Sequence, residues 1–436
     1  MATQIPAVMQ ALIDDIAAKV GPDTKLAKMF AACFTNTYRT TLQPQQDGTT
    51  FVITGDIPAM WLRDSAAQVR PYLLLAAQDE QIAALVAGVV RRQMAYVVHD
   101  PYANAFNETA NGKGFQDDVT AMTPLVWERK YEIDSLCYPI QLAYLLWQTT
   151  GQTAHLDAVC RAAVHKIVAL WRTEQDHEAS SPYRFERKNV RPSDTLTRDG
   201  KGPLVAKTGM TWSAFRPSDD ACTYGYLIPA NMFAVVALAY AAEIADTVWH
   251  DAVLAEEARQ LAAEIDAGIK RYGTVEHPQF GTIYAYETDG RGNYNLMDDA
   301  NVPSLLAMPY VGYVTPDDPI YLNTRRFLLS VENPFYYAGD VARGIGSPHT
   351  PPHYIWHIAL AVQGMTATDE AEREDILATF QRTDAGTHLM HEGFHVDDPT
   401  HFTREWFAWA NAMFSEFVLS MHGYYVKGSP LARFYK

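Results

Sequence analysis

Cysteine is scarce in this chain, with four among 436 residues. Cys33, Cys137, Cys160 and Cys222 sit in apolar segments without paired spacing, which leaves no disulfide framework and no cysteine-built zinc site. Reduced, buried thiols in a cytoplasmic protein are the expectation. Clustered positive charge is also missing. No basic run exceeds the Arg91-Arg92 and Arg325-Arg326 pairs, and the net charge is −16. Nucleic acid and anionic membrane surfaces are therefore not expected as partners. No stretch is expected to reach the roughly 18 uncharged apolar residues of a membrane span. The N-terminal MATQIPAVMQALIDDIAAKVG has no basic start and carries Asp14 and Asp15 where an export signal needs an apolar run. Without export, the Asn107-Glu108-Thr109 sequon has no meaning. Gly290-Arg291-Gly292 lacks the strand–helix setting of a phosphate loop, and no serine or cysteine has a nucleophile elbow. No cofactor is expected.

What is abundant is helix periodicity and aromatic rings. Aromatic residues make up 12% of the chain, including 24 Tyr and 9 Trp, a weak pointer to ring-stacking ligands such as sugars. After a leading helix near 6–20, long apolar-periodic segments come in pairs. Ser65–Gln78 precedes Gln81–Val98, and Ser135–Thr150 precedes Ala154–Gln175. Pro229–Val248 precedes Ala252–Tyr272, Pro303–Val311 precedes Ile320–Leu329, and His353–Gly364 precedes Asp369–Thr383. Arg404–His422 is left to close against Thr24–Leu42. The first member tends to be apolar all round, as in NMFAVVALAYAAEI (231–244). The second is striped, as in EEARQLAAEIDAGIK (256–270). Six such pairs predict an all-α (α/α)6 barrel forming a single domain, 1–436, with an irregular helical solenoid as the alternative. Long loops precede the inner helices, at 99–134, 176–228, 273–302, 330–352 and 384–403, and should gather at one end as a mouth. Gly281–Glu287 alternates like a strand within them.

Three stretches carry candidate chemistry. GDIPAMWLRDSAAQVRPY (55–72) runs from loop to helix and places Trp61, Arg63 and Asp64 at the junction. An indole plate, a donor fork and a carboxylate suit a sugar. The same trio fits a helix start capped by Asp64 or Ser65 with a local Arg–Asp pair. TWSAFRPSDDACTYGYLIPAN (211–231) sets Asp219 and Asp220 among aromatics, three and four residues after Arg216. Adjacent carboxylates in apolar surroundings need a shared proton or a cation, and a raised pKa is what a general acid requires. A turn or N-cap around Ser218-Asp219 is the simpler reading of this segment by itself. DAGTHLMHEGFHVDDPTHFT (384–403) contains His391-Glu392-Gly393-Phe394-His395. A zinc peptidase needs those histidines one turn apart on a helix. Gly393 inside the motif and Asp397-Asp398-Pro399 after it leave no room for that helix. Glu392 then serves better as a loop carboxylate facing Asp219 or Asp220. Of His349, His353 and His357, only the last two are expected to share a helix face, and two ligands make no metal site.

These segments, with KYEIDSLCYP (130–139) and MHEGFHVDDPTHFTREWFAWANAMF (390–414), resemble the metal-independent exo-acting α-1,6-mannosidases of glycoside hydrolase family 125, from about residue 20 to the C-terminus. The resemblance implies an (α/α)6 barrel and a hydrolase removing terminal α-1,6-linked mannose with inversion. It needs no metal and acts on a mannose-containing oligosaccharide or glycan fragment. It also implies Asp219 as general acid, with Asp220 as the rival, and Glu392 as general base. Trp61, Arg63 and Asp64 are expected at the terminal mannose, and Glu132, Arg216, Asp220 and His349 among the further sugar contacts. The alternatives are a zinc metallopeptidase on His391-Glu392-x-x-His395 and a sugar-binding barrel without catalysis.

Overall fold

The paired periodicities become paired helices in the computed structural model, which describes residues 4–435. Of the expected 1–436 unit, residues 1–3 and 436 lie outside the described residues. Leu62–Val69, Asp134–Thr150, Ile228–Ile244, Met308–Val311, His357–Thr366 and Ala408–Met421 form the inner layer. Each packs on the next, and the last returns to the first, closing an (α/α)6 barrel. Glu80–His99, Ala158–Glu174, Ala252–Tyr272, Pro319–Leu328, Glu370–Arg382 and Lys25–Thr40 form the outer layer, with Ala7–Val20 packed on the last of these. The sequence contrast is the layer contrast. Ile228–Ile244 buries residues on every side, whereas Ala252–Tyr272 buries only the stripe Leu254, Ala255, Ala258, Leu261, Ile265, Gly268 and Ile269.

The two layers start differently. Each of the six outer helices begins under a side-chain cap, in turn Asp79, Asp157, Asp251, Asp318, Asp369 and Thr24. These oxygens accept N–H groups that the first turn cannot satisfy within the helix. None of the six inner helices has such a cap. Three of them run straight out of short strands: Met60–Trp61, Tyr226–Leu227 and Tyr354–Trp356. Each strand belongs to a three-stranded antiparallel sheet of loop segments. Ala105–Phe106 pairs with the first, Glu287–Thr288 with the second and Gly393–His395 with the third.

Several expected boundaries move, for local reasons. The first inner helix starts at Leu62 rather than Ser65, so neither Asp64 nor Ser65 caps it. Pro71 withholds an N–H, and the chain tightens into a 3-10 turn at Arg70–Tyr72 before resuming at Leu73–Ala76. The fourth inner helix shrinks from Pro303–Val311 to the single turn Met308–Val311, because the Asp298 carboxylate accepts the N–H groups of Leu305 and Leu306. His353 and His357 do not share a helix face. His353 sits in the left-handed region at φ 68°, and Tyr354–Trp356 is strand, so the helix begins at His357. The last inner helix begins at Ala408 rather than Arg404. The alternating segment Gly281–Glu287 is split between two strands, Gly281–Tyr284 paired with Thr274–His277 and Glu287–Thr288 paired with Tyr226–Leu227. Ile228–Trp249 is long and apolar enough to cross a membrane by composition, but it carries Glu243 and Asp246, and 83% of its most apolar stretch is buried within the barrel.

Candidate active site

At the end where the inner helices begin lies a cleft of about 370 Å³. Trp61, Arg63 and Asp64 line it, together with Asp219, His349 and Glu392. Thr54, Ser218, Asn301, Trp356, Arg404, Phe407 and Trp409 complete most of its wall.

Trp61 ends a strand paired with Ala105, and Arg63 and Asp64 follow in the first helical turn. Their loop is held to the far end of the chain by Gly55, which bridges to Phe407. At φ 140°, a Cβ on Gly55 would fall 2.5 Å from the Trp406 carbonyl oxygen, so only glycine fits.

Asp219 and Asp220 part company through a turn. The Arg216 N–H donates to the Asp220 carbonyl and the Asp219 N–H to the Arg216 carbonyl, throwing Asp219 into the left-handed region at φ 69°. Its side chain is 30% exposed, while that of Asp220 is 3% exposed. Asp220 turns away from the cleft to accept Arg191 Nη2 at 3.3 Å and to pair with His349 Nδ1 at 3.1 Å. Burial lowers the His349 pKa, and Asp220 more than offsets this, so the imidazole titrates above its usual range. Lys130 Nζ donates to the Asp219 carbonyl at 2.8 Å and pins the turn. Ser218 donates to Asp299 and Asn301 to the Pro217 carbonyl, fixing its other side.

Arg63 is the hub of this side. Its Nη1 lies 2.6 Å from Glu132 Oε2 and 3.0 Å from Asp134 Oδ2, its Nη2 3.7 Å from Asp219 Oδ1, and its Nε 3.6 Å from Asp64. Burial lifts the Asp64 carboxyl to about 6, against the pull of Arg63 and Arg404. Burial also raises Glu132 well above the carboxylate range, reinforced by the charges of Asp219 and Asp134. For Asp219, burial is outweighed by Lys130, Arg63 and His349, which hold it below its ordinary value. A general acid at 219 was expected to show a raised pKa of its own. The upward shift falls on Glu132 instead, where burial outweighs the pull of Arg63.

Glu392 immediately precedes the strand Gly393–His395, which pairs with Tyr354–Trp356 on one side and Phe402–Thr403 on the other. Arg404 Nη1 lies 3.6 Å from its Oε1. Arg404 also pairs with Asp56 and stacks over the Phe407 ring. Arg404 sits at φ 50° in the bend between the last strand and the last inner helix. The HExxH helix does not form. His391 is buried and stacked on Phe402 with ring centroids 3.7 Å apart, and its N–H donates to His357. Among the described residues, no three His, Cys, Asp or Glu side chains gather in a metal-holding arrangement.

Of the residues singled out in the sequence, Trp61, Arg63, Asp64, Asp219, His349 and Glu392 share the cleft. Glu132, Arg216 and Asp220 stand behind its wall. Arg216 Nε is spent on Glu287 at 2.6 Å. Arg404, Trp356 and Trp409 went unmarked in the sequence. Arg404 and Trp409 stand within the quoted MHEGF…NAMF segment, so proximity to Glu392 was the available signal for both.

A closed ring of helical hairpins, with two acidic loops and a wall of indoles at one end, suits the hydrolysis of a glycosidic bond. The family model described as Metal-independent alpha-mannosidase (GH125) matches residues 23–419, and the chain belongs to that family. A Streptococcus pneumoniae metal-independent alpha mannosidase, solved in a non-productive complex with alpha-1,6-mannobiose, is 51% identical. It superposes with a TM-score of 0.93, over 95% of this chain and 98% of that one. The Meiotically up-regulated gene 157 protein of Schizosaccharomyces pombe (strain 972 / ATCC 24843) is 41% identical over 94% of this chain and 84% of its own length. A bacterial glucoamylase complexed with acarbose shares the fold alone, at 13% identity and a TM-score of 0.61, over 97% of this chain and 59% of that one.

Proposed function

We propose that the chain is an exo-acting α-1,6-mannosidase that hydrolyses the terminal mannose with inversion, without a metal. The observation that carries this is the presence of two carboxylates from separate loops, Asp219 and Glu392, in one aromatic-walled cleft. In this reading Asp219 protonates the leaving oxygen, and Glu392 takes a proton from the attacking water. Asp219 is preferred to Asp220 because only the former faces the cleft. Trp61, Arg63 and Asp64 hold the terminal sugar, with Trp409 beneath Arg63 at 5.8 Å. The α-1,6 linkage rests on the likeness to the Streptococcus pneumoniae enzyme and its mannobiose complex. A cytoplasmic setting remains part of the proposal, supported by four thiols that are all buried and free.

The test is hydrolysis of α-1,6-mannobiose followed by proton NMR of the anomeric region in the first minutes. An inverting pair stands about 6.5–9.5 Å apart with room for water, so the first-formed product is β-mannose. Initial α-mannose, or a mannosyl adduct on Glu392 seen by mass spectrometry, would make Glu392 a nucleophile and overturn the mechanism.

A further inference from the structure

Counting charge around Arg63 exposes a surplus. One guanidinium faces Asp64, Glu132, Asp134 and Asp219, all within 3.7 Å of its nitrogens. Among the described residues, the other cation beside Asp219 of comparable burial is Lys130, which also pairs with Glu128 at 3.7 Å and Asp194 at 2.5 Å. Asp64, Glu132 and Asp134 are all out of water, and with Asp219 beside them one guanidinium does not keep every one of them ionised. The proton has a definite place to go. Asp219 Oδ1 is buried and meets no fixed N–H or O–H donor among the described residues. Glu132 faces the same guanidinium as that carboxyl, with its Oε2 2.6 Å from Nη1 and Asp219 Oδ1 3.7 Å from Nη2. The remaining oxygen valences of Glu132 are filled by Arg63 Nη1, Ser135 Oγ at 2.7 Å and Asn104 Nδ2 at 3.3 Å. Asp134 Oδ1 is likewise buried without a partner, but of these two carboxyls beside Glu132 only Asp219 lines the cleft, where a proton can be passed to a ligand.

We infer that Glu132, rather than contacting sugar, is a positioning residue that shares one proton with Asp219 and sets the pH up to which Asp219 can serve as the acid. This rests on the reading of Asp219 as general acid. In the resting site the Glu132–Asp219 pair holds one proton. As the glycosidic C–O bond breaks, its electron pair stays on the leaving oxygen, which takes that proton through Asp219. The pair is left doubly ionised against Arg63 and Lys130. The attacking water forms the new C–O bond and gives a proton to Glu392. After product leaves, Glu392 releases its proton to solvent and the pair takes one up. The groups facing the pair are Arg63 and Asp64 from the first inner helix, Lys130 and Asp134 from the second loop and helix, and His349 from the loop before the fifth. Cys222 lies close on the remaining side.

The experiment compares pH profiles of kcat/KM for α-1,6-mannobiose and a dinitrophenyl mannoside. Glu132→Gln keeps the shape but offers a permanent donor and no transferable proton. Asp219 alone must then hold the proton beside two cations, so the alkaline limb for mannobiose moves to lower pH by about one unit or more. The activated mannoside, whose leaving group scarcely needs protonation, changes little. Ser135→Ala removes a donor to ionised Glu132, so the pair keeps its proton longer and the same limb moves to higher pH. Opposite displacements support the inference. An unmoved limb in both variants, or equal losses on both substrates at every pH, overturns it. If Glu132→Gln does not fold, the direction of the Ser135→Ala displacement decides. Asp219→Ala is run alongside: leaving-group dependence there, with unmoved limbs in the other two, sinks this inference and leaves the general acid standing. Its absence there sinks the acid assignment itself.

Discussion

The starts of the inner helices and the starts of the outer helices are built to opposite rules. Every outer helix ends its exposed first turn on an aspartate or threonine side chain. No inner helix does, and the residues that would cap them are aromatic or aliphatic: Trp61, Ile133, Leu227, Ala307, Trp356 and Phe407. Trp61, Trp356 and Phe407 line the cleft instead. The outer turns thus spend polar side chains on their own backbone. The inner turns leave the mouth free for groups that face a ligand, and rely on burial and short strands to hold the helix entry. One layer stabilises the barrel, and the other exposes the chemistry of the mouth. Substitutions should therefore separate stability from activity by layer.

The largest effect is expected at the mouth loops. Asp219→Ala should lower kcat on mannobiose by about 10³-fold while sparing an activated aryl mannoside, and Glu392→Gln should lower both substrates by about 10³-fold, since water must be activated whatever the leaving group. Steady-state kinetics on the two substrates read this out. If both variants lose leaving-group dependence alike, the acid and base assignments fall together. Arg63→Lys comes next. An ammonium cannot span Glu132, Asp134 and Asp219 at once, and a loss of about 2 kcal/mol, roughly thirtyfold in kcat/KM, is expected. Wild-type kinetics in that variant would reduce the first inner turn to scaffolding.

Asp298 tests a carboxyl held by backbone alone. Burial pushes it up to about 8, against the N–H groups of Leu306 and Leu305. Its folded value exceeds its unfolded one, so the native state binds more protons. The stability it contributes is full below the unfolded value of 3.8 and is lost as pH rises through about 8. Melting temperature should fall from pH 5 to pH 8.5, with a shallower slope in Asp298→Asn. An identical slope removes this residue from the account. The smallest effect belongs to the outer layer. Asp157→Ala removes the acceptor for the Val159 and Cys160 N–H groups and should cost about 1 kcal/mol in urea unfolding with kcat/KM unchanged. A loss of activity there would erase the division between layers.

Local pattern carried the barrel far. Period and stripe gave the six pairs, because an inner helix is apolar all round and an outer one is not, whatever it touches. Boundaries failed where a long-range contact overrode propensity. Asp64-Ser65 resembled a cap, but the strand pairing of Trp61 with Ala105 already set the helix entry. Residues 303–307 resembled a helix until Asp298 claimed two of their N–H groups. The acidic pair and Glu392 were visible as residue types in aromatic loops, and a long motif resemblance put names to them.

The sequence by itself determined the helix pairing, the family and the short set of acidic residues from which the chemistry is drawn. These depend on periodicity and on contiguous motifs, which are local along the chain. The tertiary structure alone decided which of Asp219 and Asp220 faces the cleft, because a left-handed turn pinned by Lys130, 89 residues away, sets that direction. It alone gathered Glu132, Asp134 and Asp219 around Arg63. Electrostatic coupling falls off with distance through space, and distance along the chain says nothing about it.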